Sequence, residues 1–363
     1  MNILAFESSC DETSAAVVYT DGESFTVKSN IIASQIEIHK LYGGVVPEIA
    51  SRAHTEAISG ITYEALEKAK LTLSEIDLVA VTARPGLIGA LLVGVNFAKG
   101  LAAANEIPLV AVDHIKGHIA STYLTEDAPR PPFIALAASG GHTSIYRVDS
   151  YTEILEIGST RDDAIGESFD KIGRIIGIPY PAGKGFDALS AKGFERATGL
   201  SIEDAGIYAK YRRSAAYKNP DLALPSPALN DGTLDFSFSG LKTASINLLH
   251  KFEQRGEEID KELFAARYTY EAVEAVAKKV DMALDKNEGY ALAISGGVAA
   301  NSHLRRRLAE VAASHGANIY IPPMSLCGDN AAMIAAAGYL EYKNGAVSDS
   351  SLNASALDSI RSC

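Results

Sequence analysis

The stretch DLVAVTA (77–83), RPGL (84–87), a glycine-rich apolar run ending at Ala104, and PLVAV (108–112) decides how the chain is read. Its two ends are short continuous apolar runs bounded by turn residues, which suit buried strands, and the longer middle suits a helix. Toward the N-terminus, ILAFES (3–8), SAAVVYT (14–20) and FTVKSNIIAS (25–34) read as three further strands, and PEIASRAHTEAI (47–58) begins a helix. The first third therefore runs three strands, helix, strand, helix, strand.

The same order starts again after the proline-rich break at 130–132. FIALAAS (133–139), HTSIYRV (142–148) and TEILEIG (152–158) read as strands, and AIGESFDKIGRIIG (164–177) as a helix. YALAISG (290–296), NSHLRRRLAEVAASHG (301–316) and NIYIPP (318–323) repeat the strand, helix, strand series, and DNAAMIAAAGYL (329–340) adds a closing helix. Two copies of one order imply two mixed α/β lobes whose turns face a central cleft, the architecture of the actin-like ATPase and sugar kinase (ASKHA) fold. The expected lobes are 1–130 and 131–363, the second carrying a helical insertion around 186–260 that includes NPDLALPSPAL (219–229).

The 363 residues, 47% hydrophobic and 21% charged, are ample for two buried cores. The most apolar stretch, 87–104, is interrupted by Asn96 and Lys99 and by glycines, so a buried helix is expected rather than a membrane span. The strand-like start lacks a basic region and a long apolar run, which makes a secretory signal unexpected and a cytoplasmic location the default. Cys10, Cys327 and Cys363 form no close-spaced zinc pattern and are read as reduced thiols. A net charge of -12 opposes broad attachment to nucleic acid, so an RNA partner needs a local basic patch. Arg305 to Arg307 and the group Lys210, Arg212 and Arg213 are the candidates, with solvated helix faces as the plainer alternative.

HIKGH places His114 and His118 four residues apart, so a helix there puts both imidazoles on one face, where they can ligate one divalent metal. Surface or capping histidines have the same spacing. Asp329 precedes the closing helix, and the strand before it is the counterpart of the strand before HIKGH, so internal symmetry places this carboxylate across the cleft from the histidines. Helix capping is its other explanation. Two histidines and an aspartate leave an open position for water or substrate, and both iron and zinc accept the set.

SGGHT (139–143) lies between two strands, where paired glycines let backbone amides approach an anionic or nucleotide oxygen; a hairpin turn with positive φ accounts for the same glycines. Asp170, Gly183, Asp187 and Asn301 sit at element ends, where a carboxylate or amide can bind ribose hydroxyls or an adenine edge and glycine lets a base come close. Capping and tight turns compete as explanations.

ESSCDET, PEIASRAH, PGLIGALLVGVNFAKGLA, HIKGH, SGGHT, DDAIGESFDK, SFSGLKTA, SGGVAAN and DNAAMIAAAG, in that order, closely resemble the TsaD family, the tRNA N6-adenosine threonylcarbamoyltransferases formerly called glycoproteases. The resemblance spans nearly the whole chain. It implies transfer of threonylcarbamoyl from threonylcarbamoyl-AMP to N6 of adenosine 37 in tRNAs reading codons that begin with A, without a covalent enzyme intermediate. It also implies a metal on His114, His118 and Asp329, with Fe(2+) favoured over Zn(2+), and an adenylate site from Ala137, Ala138, Ser139, Gly140, Gly141, Asp170, Gly183, Asp187 and Asn301. A shorter TsaB-like paralogue, a TsaE-like P-loop ATPase and a homodimer are the implied partners. The chain departs from the family pattern at Arg84, Ala182 and Lys184, and the insertion is long.

Rival assignments are weaker. A metalloprotease of the HExxH kind needs a general-base glutamate where this chain has Ile115. A kinase of the same fold carries an Asp-Gly pair after the first strand, where Glu7 and SSCDET stand here. A non-catalytic scaffold paralogue is expected to lack the His, His, Asp set.

Overall fold

The computed structural model describes residues 1–357 and 360–362, so Cys363 lies outside the described residues. β1 (Asn2–Glu7), β2 (Glu12–Thr20) and β3 (Phe25–Ser34) are followed by α1 (Ile36–Lys40), α2 (Pro47–Ala69), β4 (Leu78–Arg84), α3 (Ile88–Ala104), β5 (Leu109–Asp113) and α4 (His114–Ala120). β6 (Phe133–Ala138), β7 (Thr143–Val148), β8 (Ile154–Ser159) and α5 (Ile165–Ile175) begin the second half. There follow α6 (Gly183–Thr198), α7 (Ile207–Arg213), α8 (Ala215–Lys218), α9 (Ser239–Gln254) and α10 (Lys261–Asp285). β9 (Ala291–Ser295), α11 (Ser302–Ser314), β10 (Ile319–Tyr320), α12 (Met324–Cys327), α13 (Ala331–Lys343) and β11 (Arg361–Ser362) complete the order.

The strands form two sheets, ordered β3-β2-β1-β4-β5 and β10-β9-β6-β7-β8-β11. β1 pairs antiparallel with β2 and parallel with β4, and β6 pairs antiparallel with β7 and parallel with β9, so each half is a mixed sheet built alike. The repeated order in the sequence is thus a repeated sheet.

Alternation along the central strands sorts their side chains into layers. Leu4 and Phe6 join a core with α2 and α3, whereas Ile3 and Ala5 face α4 and α13. On the second sheet Phe133, Ala135 and Ala137 face that same middle layer, and Ile134, Leu136 and Ala138 pack under α5, α6, α10 and α11. α13 comes from the second half of the chain, yet it packs against β1, β2, β4 and β5. Its residues 331–339 are buried all round, as a helix enclosed between two sheets requires. Gly117 of α4 allows this approach, because a Cβ there would fall 2.6 Å from Ile334 Cδ1.

α3, the apolar run of the sequence, lies against the outer face of the first sheet. Among the described residues no helix is long and apolar enough to cross a membrane. Helices α6 to α9 form a layer around α10, held by an aromatic cluster that includes Phe194, Tyr208, Tyr211 and Tyr270.

Candidate metal and nucleotide site

β1, β4 and β5 run parallel and end together, and the acidic and imidazole side chains gather at those carboxyl ends. Asp113 closes β5 and caps α4 by accepting from the Ile115 N–H at 3.0 Å. One turn of α4 then sets His114 and His118 side by side, their ring centroids 4.5 Å apart. Both are buried, which sets aside the surface-residue explanation of their spacing.

Asp329 Oδ1 lies 3.2 Å from His118 Nε2 and 3.6 Å from His114 Nε2. The capping role that competes for this carboxylate belongs instead to Asn330, whose side chain accepts from the Met333 N–H at 3.1 Å. The three donor atoms fall within 4.8 Å of one another, a group able to hold a metal ion. His118 is fully buried; its Nε2 faces Asp329 Oδ1 without a well-aligned hydrogen bond, and its Nδ1 has no hydrogen-bond partner among the described residues. The donor set and its burial fit a divalent ion.

Glu7, at the end of β1, completes the group. Its Oε2 lies 2.9 Å from His114 Nδ1 and accepts from the Thr82 hydroxyl at 2.6 Å, while Oε1 accepts from the Ser9 N–H at 2.5 Å. A carboxylate on Nδ1 fixes the ring and turns Nε2 toward Asp329, the usual outer support of a metal-binding histidine. Burial opposes the charge on Glu7, but the His114 imidazole holds its pKa below the ordinary value. Burial likewise opposes a charged His114, and Glu7 and Asp329 outweigh it, pushing its pKa up to about 9. Burial pushes Glu12 up to about 10, with the charges of Asp329 and Asp11 acting in the same direction.

At the second sheet, Ser139 to His142 form the turn between β6 and β7, with Ser139 N–H donating to His142 O at 2.8 Å. Neither glycine in it has a positive φ, so the explanation from turn conformation fails for Gly140 and Gly141. A Cβ on either would meet nothing within 4 Å among the described residues; what the glycines provide is open approach to their amides. Burial pushes the His142 pKa down to about 4, with the neighbouring His114 and His118 acting in the same direction, so this loop lies within electrostatic reach of the histidine pair.

The remaining residues lie at helix starts of the second half. Asp170 accepts from the Ala182 N–H at 2.7 Å beside Gly183, the first residue of α6. Asp187 accepts from Ser302 N–H at 3.2 Å and from its hydroxyl at 3.1 Å, and Asn301 caps α11 by accepting from Leu304 N–H at 2.8 Å. Capping is therefore real for Asn301, and both aspartates tie helix N-termini, where the exposed amides and the helix dipole favour an anionic ligand. Burial raises the pKa of Asp170 and of Asp187. Ala182, one of the departures from the family pattern, is fully buried and packs on Gly173.

Sequence reasoning missed Glu7 as a support, and also Gly166 and Gly296. Gly166 is pressed against the backbone of Ser139, and Gly296, at φ +86°, against that of Ala138. A glycine directly after a predicted strand was the available signal for Gly296.

Two duplicated mixed sheets around a cleft, with the chemistry at their strand ends, define an ASKHA-type protein. The structure resembles the activator of the 2-hydroxyisocaproyl-CoA dehydratase from Clostridium difficile, with TM-score 0.50, 14% identity, and 95% and 97% of the two chains covered. It also resembles HypF from T. kodakarensis, with TM-score 0.53, 13% identity, and 94% and 48% covered. At these identities the likeness concerns fold alone. Residues 26–336 match the family model described as TsaD, tRNA N6-adenosine threonylcarbamoyltransferase. A relative of that name from Clostridium botulinum is 46% identical over 98% of this chain and 96% of its own length. Another from Clostridium perfringens is 45% identical over 97% and 96%. The chain belongs to the TsaD family, and it is a transferase of the tRNA-modifying kind.

Proposed function

We propose that this chain transfers the threonylcarbamoyl group of threonylcarbamoyl-AMP to N6 of adenosine 37 in tRNAs reading codons that begin with A, releasing AMP and forming t6A. The observation that carries the proposal is the buried convergence of His114, His118 and Asp329, with Glu7 behind His114, in a chain of this family. These three residues are the ligands of a divalent ion, with Fe(2+) preferred and Zn(2+) the alternative. Bound there, the ion supplies Lewis acidity and a template for the threonylcarbamoyl group.

The chain does the rest by placement. Glu7 holds His114 in the tautomer that presents Nε2, Asp113 fixes the start of α4, which carries both histidines, and Asn330 fixes the start of α13 just after Asp329. Ala137, Ala138, Ser139, Gly140 and Gly141 offer backbone to the adenylate, and Asp170, Gly183, Asp187 and Asn301 line its nucleoside side. The amine of adenosine attacks the carbamoyl carbon. As the new C–N bond forms, the C–O bond to phosphate breaks, its electron pair leaves with AMP, and the amine proton departs to water. AMP is a good leaving group, so orienting the amine and stabilising the developing oxyanion are the main contributions of the site.

The lobes divide near residue 130 in this proposal, with α13 returning to the first. A TsaB-like paralogue, a TsaE-like ATPase and a homodimeric state are proposed partners, and the cytoplasm the proposed location. Ile38, Leu41, Tyr42 and Tyr63 expose apolar surface on α1, α2 and the loop between them, which supports contact through the first lobe.

The test is to combine the protein with threonylcarbamoyl-AMP, unmodified tRNA and the partner proteins, and to quantify modified nucleoside by mass spectrometry with and without a chelator. Product that the chelator abolishes is expected. His114→Ala should bind no metal and form no product while keeping the circular dichroism of the parent. Absence of product from the metal-restored parent overturns the proposal.

A further inference from the structure

A cavity of about 500 Å³ opens where α7, α10 and α11 meet, in the helical layer outside the cleft. Arg212, Arg213 and Lys218 reach it from exposed positions, and none of them forms a salt bridge among the described residues. Arg307 also lines it but is committed to Glu274 at 2.6 Å and to Glu310 at 3.6 Å. Glu310 is shared in turn with Arg306 at 3.5 Å, so the two carboxylates of the cavity are already answered. Three cations remain uncompensated in a concave site on a chain whose net charge is -12.

The inner wall is aromatic. Tyr208 is 2% exposed and stacks on Tyr270 at 5.7 Å and 24°, and its hydroxyl has no hydrogen-bond partner among the described residues. Tyr208 and Tyr270 thus give the cavity a rigid aromatic inner wall behind the cations. Uncompensated arginine and lysine side chains gathered at one concavity suit a phosphate group.

We propose that this cavity binds a backbone phosphate of the RNA substrate and the nucleotide attached to it, as a docking site separate from the cleft where the adenosine reacts. The proposal rests on the reading of tRNA as substrate. Asn301 caps the helix that carries Arg307, so at 1.5 Å per residue the cavity lies about 9 Å along α11 from the residue proposed for the nucleoside side of the adenylate. A strand with its reactive base in the cleft can pass over it.

The basic groups named from the sequence are sorted by this geometry. Arg212 and Arg213 face the cavity. Arg305 is spent on the carbonyls of Ala299 and Pro322.

Binding of unmodified tRNA to the full chain, followed by fluorescence anisotropy over a salt series, tests the proposal without catalysis. The exposed triple variant Arg212→Ala, Arg213→Ala, Lys218→Ala should bind at least about tenfold more weakly, and its salt slope should flatten by about 2 to 3. Glu274→Gln, which releases Arg307, should tighten binding and steepen the slope. An unchanged affinity and slope in the triple variant overturns the proposal. So does loss of free AMP binding in that variant while tRNA binding persists, because the site would then serve a mononucleotide. A parent protein that binds tRNA in this way yet forms no modified nucleoside would sink the transfer reading and leave the docking site standing.

Discussion

His303 gives a prediction in which the magnitude follows from burial. Its ring packs 4.5 Å from Phe194 and 6.2 Å from Tyr208, and neither nitrogen has a hydrogen-bond partner among the described residues. Burial alone pushes its pKa down to about 3. An unfolded histidine titrates near 6.5, so between about pH 6.5 and pH 3 the unfolded chain takes up a proton that the folded chain refuses. Stability must therefore fall as pH drops through this window, by about 1.4 kcal/mol per unit once well below 6.5. His303→Phe removes this slope. At neutral pH the variant mixes relief of an unsatisfied polar ring with the strain of a larger one, so the value there is uninformative. The change between pH 7 and pH 5 is informative, and the parent should lose about 2 kcal/mol more than the variant over that interval. Urea unfolding at the two pH values measures it. Equal losses in both proteins would refute a neutral, unpartnered His303.

Three further outcomes follow from the site. Glu7→Gln turns an amide N–H₂ toward the donors Ser9, Thr82 or His114, and should weaken metal binding about 10–100-fold. Competition with a chelator at about pH 9.5 reads this loss, because most His114 has shed its proton there and proton release no longer masks it. Gly140→Ala with Gly141→Ala should leave unfolding free energy within about 0.5 kcal/mol of the parent. The same variant should raise KM for the adenylate about tenfold, the equivalent of one charge-assisted hydrogen bond, and steady-state kinetics beside urea unfolding separates the two effects. Gly296→Ala, at a positive φ and against the Ala138 carbonyl, should cost at least about 1–3 kcal/mol in the same unfolding assay.

How far the sequence could be read depended on range. The central strands and helices were legible because each carries its own period, and HIKGH was legible because helical spacing is local. Asp329 required internal symmetry, since nothing near it distinguishes a ligand from a cap until Asn330 is seen to do the capping. Glu7 was harder. Its contact with His114 crosses from β1 to the start of α4, just past β5, over Thr82 of β4, and a strand-end glutamate looks alike whether or not such neighbours exist. The glycines of the β6-β7 turn were ambiguous for another reason, because composition shows that a side chain is absent but not which neighbour, conformation or ligand the space serves. The place of α13 did have a signal, the unbroken apolar circumference of AAMIAAAGYL, although the pattern alone could not say which two sheets enclose it.

That helix also determines how the molecule comes apart. With α13 withdrawn, Ile3, Ala5, Leu78, Ala80, Val110 and Val112 would lose much of the layer that covers them, so a fragment ending near residue 130 would keep only α4 and the turn after it over that sheet face. The segment after α13 runs back as well, Ser348 pairing with Leu109 and Leu352 reaching the outer core of the first sheet. The first half is therefore not a self-sufficient folding unit, and its unfolding should be coupled to the release of α13 and the segment after it.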